Sequence, residues 1–178
     1  IIHWIKDVNP KIKISFLTNG STRTPLWWRN LGSLLSQRGD FCEFGIDGLE
    51  DTNHIYRRRT DFKKIMENAK AFIDAGGNAR WIFIPFKHNE HQVDEAKKLS
   101  YEMGFKEFVV RKTTRFFQRS IFPVLDNENN LEYYLEPPGG LEYKNIQDAI
   151  ANVQKDLFVT KTVTNSTELK KESIDDKK

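Results

Sequence analysis

The run Phe44-Gly45-Ile46-Asp47-Gly48-Leu49-Glu50-Asp51-Thr52-Asn53-His54-Ile55-Tyr56-Arg57 places an acid, a glycine turn and an arginine directly after an apolar segment. A guanidinium in such a loop can hold a carboxylate through two parallel hydrogen bonds. A solvated charge run at Arg57-Arg58-Arg59 competes evenly with that reading, and Asn19-Gly20 and Asp47-Gly48 taken singly read as turns. His54 is more often a loop hydrogen-bonder than a base. His88 and His91 lack the HExxH order of a zinc protease, and Asn89 with Gln92 reads as a capping box, so metal binding there is disfavoured. Cys42 lies in an apolar segment and reads as inert packing. Trp27, Trp28 and Trp81 read as packing residues, and neither standard Gly-rich phosphate loop occurs.

The elements that must carry these residues alternate. Residues 12–17 and 41–46 read as strands, as do 80–86 and 107–112. Thr24-Pro25 opens a helix with a cap and a proline at its first position; Leu31, Leu34 and Leu35 give its apolar face, and Gly39 ends it. A second helix runs over 61–75, capped by Thr60, with Phe62, Ile65, Met66, Ala69, Phe72 and Ile73 on one face and Gly76-Gly77 as its stop. A third carries Val93, Ala96, Leu99 and Met103 and stops at Gly104. Strands separated by helices predict parallel pairing with right-handed crossovers, and their apolar content predicts a sheet covered on both faces. The loops at Thr18-Asn19-Gly20, Asp47-Gly48, Lys87-His88-Asn89 and Lys112-Thr113-Thr114-Arg115 would then share one rim, where ligands bind in such folds.

Ile1, Ile2, Ile5 and Val8 read as the end of an amphipathic helix stopped by Asn9-Pro10, so an internal fragment of a longer protein is expected. Residues 122–125 and 131–135 suit a hairpin, 146–157 a short helix, and the tail from 160 disorder. The chain has 178 residues, 38% hydrophobic and 30% charged, with a net charge of +3. That balance gives no argument for nucleic acid, and no apolar run approaches a membrane span. One cysteine excludes an internal disulfide framework and a multi-cysteine metal site within these residues; a cytoplasmic setting is expected.

Phe16-Leu17-Thr18-Asn19-Gly20, Phe44-Gly45-Ile46-Asp47-Gly48, His54-Ile55-Tyr56-Arg57, Asn68, Ala75-Gly76-Gly77 and Lys87-His88-Asn89 together resemble the middle of a radical S-adenosylmethionine enzyme. The group with a SPASM or twitch extension, which modifies peptides and proteins, is the nearest type. The resemblance covers about residues 1–115 and implies an α/β fold: parallel βα repeats forming part of a partial (βα)6 TIM-like barrel, with an irregular C-terminal extension. The implied division is 1–117 for the C-terminal two thirds of the barrel, 118–159 for the extension and 160–178 for the tail. Implied cofactors are S-adenosylmethionine and a [4Fe-4S] cluster whose CxxxCxxC ligands are not among these residues. The implied reaction is reductive cleavage to a 5′-deoxyadenosyl radical that abstracts hydrogen from a peptide or protein substrate, with an electron donor such as flavodoxin or ferredoxin. By position, Arg57 would pair with the methionine carboxylate beside Gly45. Asn19 would line the cavity, Asn89 would approach the ribose or adenine, and Asp47 would brace the loop. Gly45 stands where the family often has serine, and Ile55 where aspartate is usual. Without the upstream ligands these residues alone would be inactive. Two other readings are a non-catalytic α/β ligand-binding or interaction module, and a barrel enzyme holding an anionic metabolite with Arg57, Lys87 and Arg115.

Overall fold

The computed structural model describes residues 1–116 and 120–140, with helical positions at 147, 148, 150, 151 and 154. The chain divides into two compact units, Ile1–Thr113 and Thr114–Lys178.

The first unit runs α1 (Ile2–Val8), β1 (Ser15–Thr18), α2 (Pro25–Leu34), β2 (Phe41–Gly45), α3 (Asn53–Tyr56), α4 (Phe62–Asp74), β3 (Ala79–Phe83), a 3-10 turn (Glu90–Gln92), α5 (Val93–Met103) and β4 (Glu107–Val110). The four strands pair in the order β1-β2-β3-β4, every pair parallel. This is a partial βα barrel, as expected from the alternation of strands and helices.

Phe44 sits at the centre of the core, its ring 5.2 Å from Trp28, 5.9 Å from Phe72 and 5.8 Å from Phe105. Cys42, Phe44, Ala79, Trp81 and Phe83 belong to this core, alternate along their strands and so share one sheet face under the helices. α2 and α4 meet closely at Gly32, where a Cβ would fall against the Phe72 carbonyl.

The other sheet face differs from the expected double cover. Arg80 Nε lies 3.0 Å from Glu107 and its guanidinium stacks on Phe41, while Arg111 Nη2 lies 3.1 Å from Glu43. These ion pairs share their face with the buried Ile82, and such a face suits the concave side of a barrel wall better than a second helical layer.

Side-chain competition for backbone groups explains three of the shifts in boundary. β1 starts at Ser15, after Ile14 N–H donates to Asp40 Oδ1 at 2.8 Å. Asp40 is buried and also takes Lys6 Nζ at 2.6 Å, which fastens α1 to the start of the sheet. β3 ends at Phe83 because Ile84 N–H donates to Asp47 Oδ1 at 2.6 Å. Asp61, not Thr60, caps α4, accepting from Lys64 N–H at 3.2 Å; the Thr60 hydroxyl donates to the Arg57 carbonyl instead. α3 was expected as loop, since four residues are too short to show a helical period.

In the second unit, β5 (Phe122–Leu125) and β6 (Leu131–Leu135) pair antiparallel, as the expected hairpin. The expected tail from 160 and most of the expected helix over 146–157 lie outside the described residues.

Candidate functional site

Because all four strands of the first unit are parallel, the loops after them emerge at one end of the sheet. The loop after β2 is built around Asp47, which is fully buried. Its carboxylate accepts from Arg57 Nε at 2.6 Å and from the Ile84 N–H. Its backbone N–H donates to Asn53 Oδ1 at 2.9 Å, and its carbonyl accepts from Asn89 Nδ2 at 2.9 Å. Asp47 therefore ties the end of β2 to α3 and to the loop after β3.

Arg57 is held at the C-cap of α3, where its N–H donates to the Asn53 carbonyl at 2.8 Å. Its side chain is 22% exposed. Nε carries the Asp47 bond; among the described residues no hydrogen bond uses Nη1 or Nη2. Nη2 packs against Gly45, so closely that a Cβ there would overlap it. Gly45 has ordinary strand geometry, so the glycine is needed for space rather than for backbone freedom. Tyr56 lies 5.2 Å under the guanidinium and 4.6 Å from Phe86, which walls the site on its apolar side.

Burial pushes the Asp47 carboxyl above its ordinary value, and the Arg57 guanidinium and the Ile84 N–H pull the opposite way. Removing Arg57 would leave the upward push unopposed by a charge.

Asn19 follows Thr18, which pairs in register with Phe44, so the sheet carries Asn19 alongside Gly45. Its Oδ1 accepts from the Ser21 N–H at 3.1 Å and hydroxyl at 2.9 Å. Asn68 Nδ2 reaches from α4 to the Gly20 carbonyl at 2.8 Å, which fixes the same turn. Gly20 adopts φ +72, a left-handed turn that favours glycine.

Asn89 is fully buried, and both ends of its amide are engaged. Nδ2 donates to the Asp47 and Ile84 carbonyls, and Oδ1 accepts from the Phe86 N–H at 2.6 Å. The expected capping box is absent: Gln92 N-caps α5 without a side-chain bond, and Asn89 makes no cap bond to the 3-10 turn. Gln92 instead accepts from the Leu49 N–H at 2.9 Å and from the Thr52 hydroxyl, and its Nε2 donates to Asp51 Oδ1 at 2.8 Å. Gly45, Asp47, Arg57 and Asn89 thus form one connected cluster, with Asn19 beside it. Asn53 and Gln92 also belong to the cluster; Asn53 lies in a segment too short to show a period, and Gln92 reads in the sequence as part of a capping box.

His88 stacks on Phe86 at 5.4 Å; burial lowers its pKa, and His54 and His91 lower it further. Among the described residues no group of His, Cys, Asp and Glu is arranged to hold a metal ion. Cys42 is buried, and burial pushes its thiol far up, which is poor for ligation or nucleophilic work. Trp28 and Trp81 are core residues, as expected, whereas Trp27 is 41% exposed.

No family model matches this sequence, and no curated protein matches it. Solved structures do share the fold. The structure of Streptococcus suis SuiB bound to S-adenosylmethionine matches with a TM-score of 0.51 and 16% identity, over 65% of this chain and 26% of that one. SuiB bound to the precursor peptide SuiA matches with a TM-score of 0.50 and 16% identity, over 64% of this chain and 25% of that one. A further SuiB structure matches with a TM-score of 0.51 and 12% identity, over 89% of this chain and 32% of that one. The chain therefore spans about a quarter to a third of the SuiB chains it resembles. No helix among the described residues is long and apolar enough to cross a membrane.

Proposed function

We propose that this chain forms the S-adenosylmethionine-holding wall of a radical S-adenosylmethionine enzyme that modifies a peptide or protein. The observation that carries the reading is the Arg57 guanidinium, held by Asp47 through Nε, with Gly45 leaving room for Nη2 at the strand-end rim. A fixed planar fork of this kind suits an α-carboxylate. Support for the cofactor and substrate classes also comes from the fold shared with SuiB, solved with S-adenosylmethionine and with a precursor peptide.

In this reading Arg57 binds the methionine carboxylate, Gly45 gives it close approach to β2, and Asn19 lines the cavity from the turn after β1. Asp47 orients Arg57, and Asn89 acts by gripping the Asp47 carbonyl rather than by touching ligand. The chemistry such a cofactor supplies when bound is reductive cleavage to a 5′-deoxyadenosyl radical for hydrogen abstraction. The only cysteine, Cys42, is buried in β2, so the [4Fe-4S] ligands belong to residues outside this chain. Residues 1–117 serve as barrel wall in this reading, and 118–159 form an irregular extension.

The test is calorimetric titration of S-adenosylmethionine into the wild type and Arg57→Met. Saturable binding weakened about tenfold or more by the substitution is expected, since a charge-assisted hydrogen bond contributes ~1.5–3 kcal/mol. Equal affinity in the two proteins would remove Arg57 from the site. In the gene, a CxxxCxxC roughly 60–110 residues before Ile1, two further βα units upstream, is expected.

A further inference from the structure

The spacing Asn89-x-x-Gln92 is used across the rim rather than along the helix. In a 3-10 turn, side chains three apart lie on the same side. Asn89 takes the carbonyl of Asp47, at the start of the loop after β2, while Gln92 takes the Leu49 N–H, the Thr52 hydroxyl and the Asp51 carboxylate farther along it. Gln92 is buried, 5% exposed, and both ends of its amide are engaged. Directly after Thr52 the chain enters α3, whose first residue binds the Asp47 N–H and whose C-cap is Arg57. α3, which carries Arg57 at its far end, thus follows directly on the residues Gln92 grips.

We infer that Gln92 is a positioning residue: by clasping residues 49–52 across the rim it aims Arg57 at the carboxylate of a bound ligand. The ligand half of this inference rests on the proposed cofactor site, whereas the positioning half does not. The clasp is polar and short-range, so its loss moves the loop with little loss of apolar burial.

The test compares the wild type, Gln92→Met, Gln92→Glu and Gln92→Glu/Asp51→Asn. Glutamate keeps the acceptor for Leu49 and Thr52 but faces the Asp51 carboxylate; asparagine at 51 supplies the donor that reverses the polarity of that bond. The first readout is the Arg57 Nε–H resonance and its exchange with solvent. The second is the affinity for S-adenosylhomocysteine, which carries the same carboxylate. Gln92→Met and Gln92→Glu are expected to shift the Arg57 resonance, speed its exchange and weaken binding about tenfold. The double variant is expected to restore both within about threefold.

An Arg57 resonance unchanged in Gln92→Met and Gln92→Glu would overturn the inference. So would a double variant no better than Gln92→Glu. If the wild type fails to bind S-adenosylhomocysteine, the cofactor reading falls, and the Arg57 resonance alone still decides whether Gln92 positions it.

Discussion

Arg57 and Asp47 form a pair in which one partner is fully buried and the other reaches the surface. Removing the guanidinium leaves a buried carboxylate without its charge partner, which costs about 3 kcal/mol. Arg57→Leu should therefore melt lower, and the deficit should depend on pH. The Asp47 carboxyl is already raised by burial, so the folded protein holds its proton more tightly than the unfolded chain does. Stability from this group falls as pH rises from the unfolded value through the folded one. Without Arg57 that fall extends to higher pH. The deficit of Arg57→Leu should be small in acid, where the carboxyl is protonated, and grow toward neutrality; denaturant unfolding across pH checks this, and a pH-independent deficit would contradict it. Gly45→Ala tests the same pair from the other side. Its Cβ would overlap Nη2 and push the guanidinium aside, so ligand affinity and melting temperature should both fall, the latter by no more than in Arg57→Leu. None of these partnerships was readable beforehand. Asp47 and Arg57 were picked out by residue type and by the resemblance, but Ile84 and Asn53 donate and accept through groups that carry no sequence signature.

At the scale of elements, the strand–helix alternation was readable because each unit carries its own stop and period. The six-residue apolar face of α4 and the left-handed Gly104 after α5 are local features that tertiary context did not override. The errors fell where a side chain intercepts the backbone. Asp40 holds Ile14, Asp47 holds Ile84, and Gln92 leaves the helix it was expected to cap. Such long-range polar bonds replace ladder or cap bonds without altering composition. The packing of α2 on α4 offers a direct test of an element. A Cβ at Gly32 would press on the Phe72 carbonyl, which is backbone and cannot swing aside. Gly32→Ala should destabilise by about 1–3 kcal/mol despite alanine's better helix propensity, with α2 displaced. A neutral or stabilising effect in thermal unfolding would show that the helices separate without cost.

At the scale of the whole molecule, exposed large apolar residues gather early in the chain: Ile1, Trp4, Val8, Ile12, Leu17, Leu26 and Trp27. Among the described residues β1 pairs only with β2, which leaves its other edge beside the exposed Leu17 as a sheet edge. An edge of this kind, flanked by apolar surface, favours association. The isolated chain is expected to self-associate with rising concentration in sedimentation, and Leu17→Lys should reduce it. A sharp two-state melt of strictly monomeric protein would contradict this.

The proposed function places the carboxylate end of S-adenosylmethionine at the rim around Arg57. Its most direct test is the 1H–15N spectrum of the chain during titration with S-adenosylmethionine. Saturable shifts are expected at the Gly45 N–H, the Arg57 Nε–H and the Asn19 amide, abolished in Arg57→Met. Shifts confined to other surfaces, or none at any concentration reached, would contradict it.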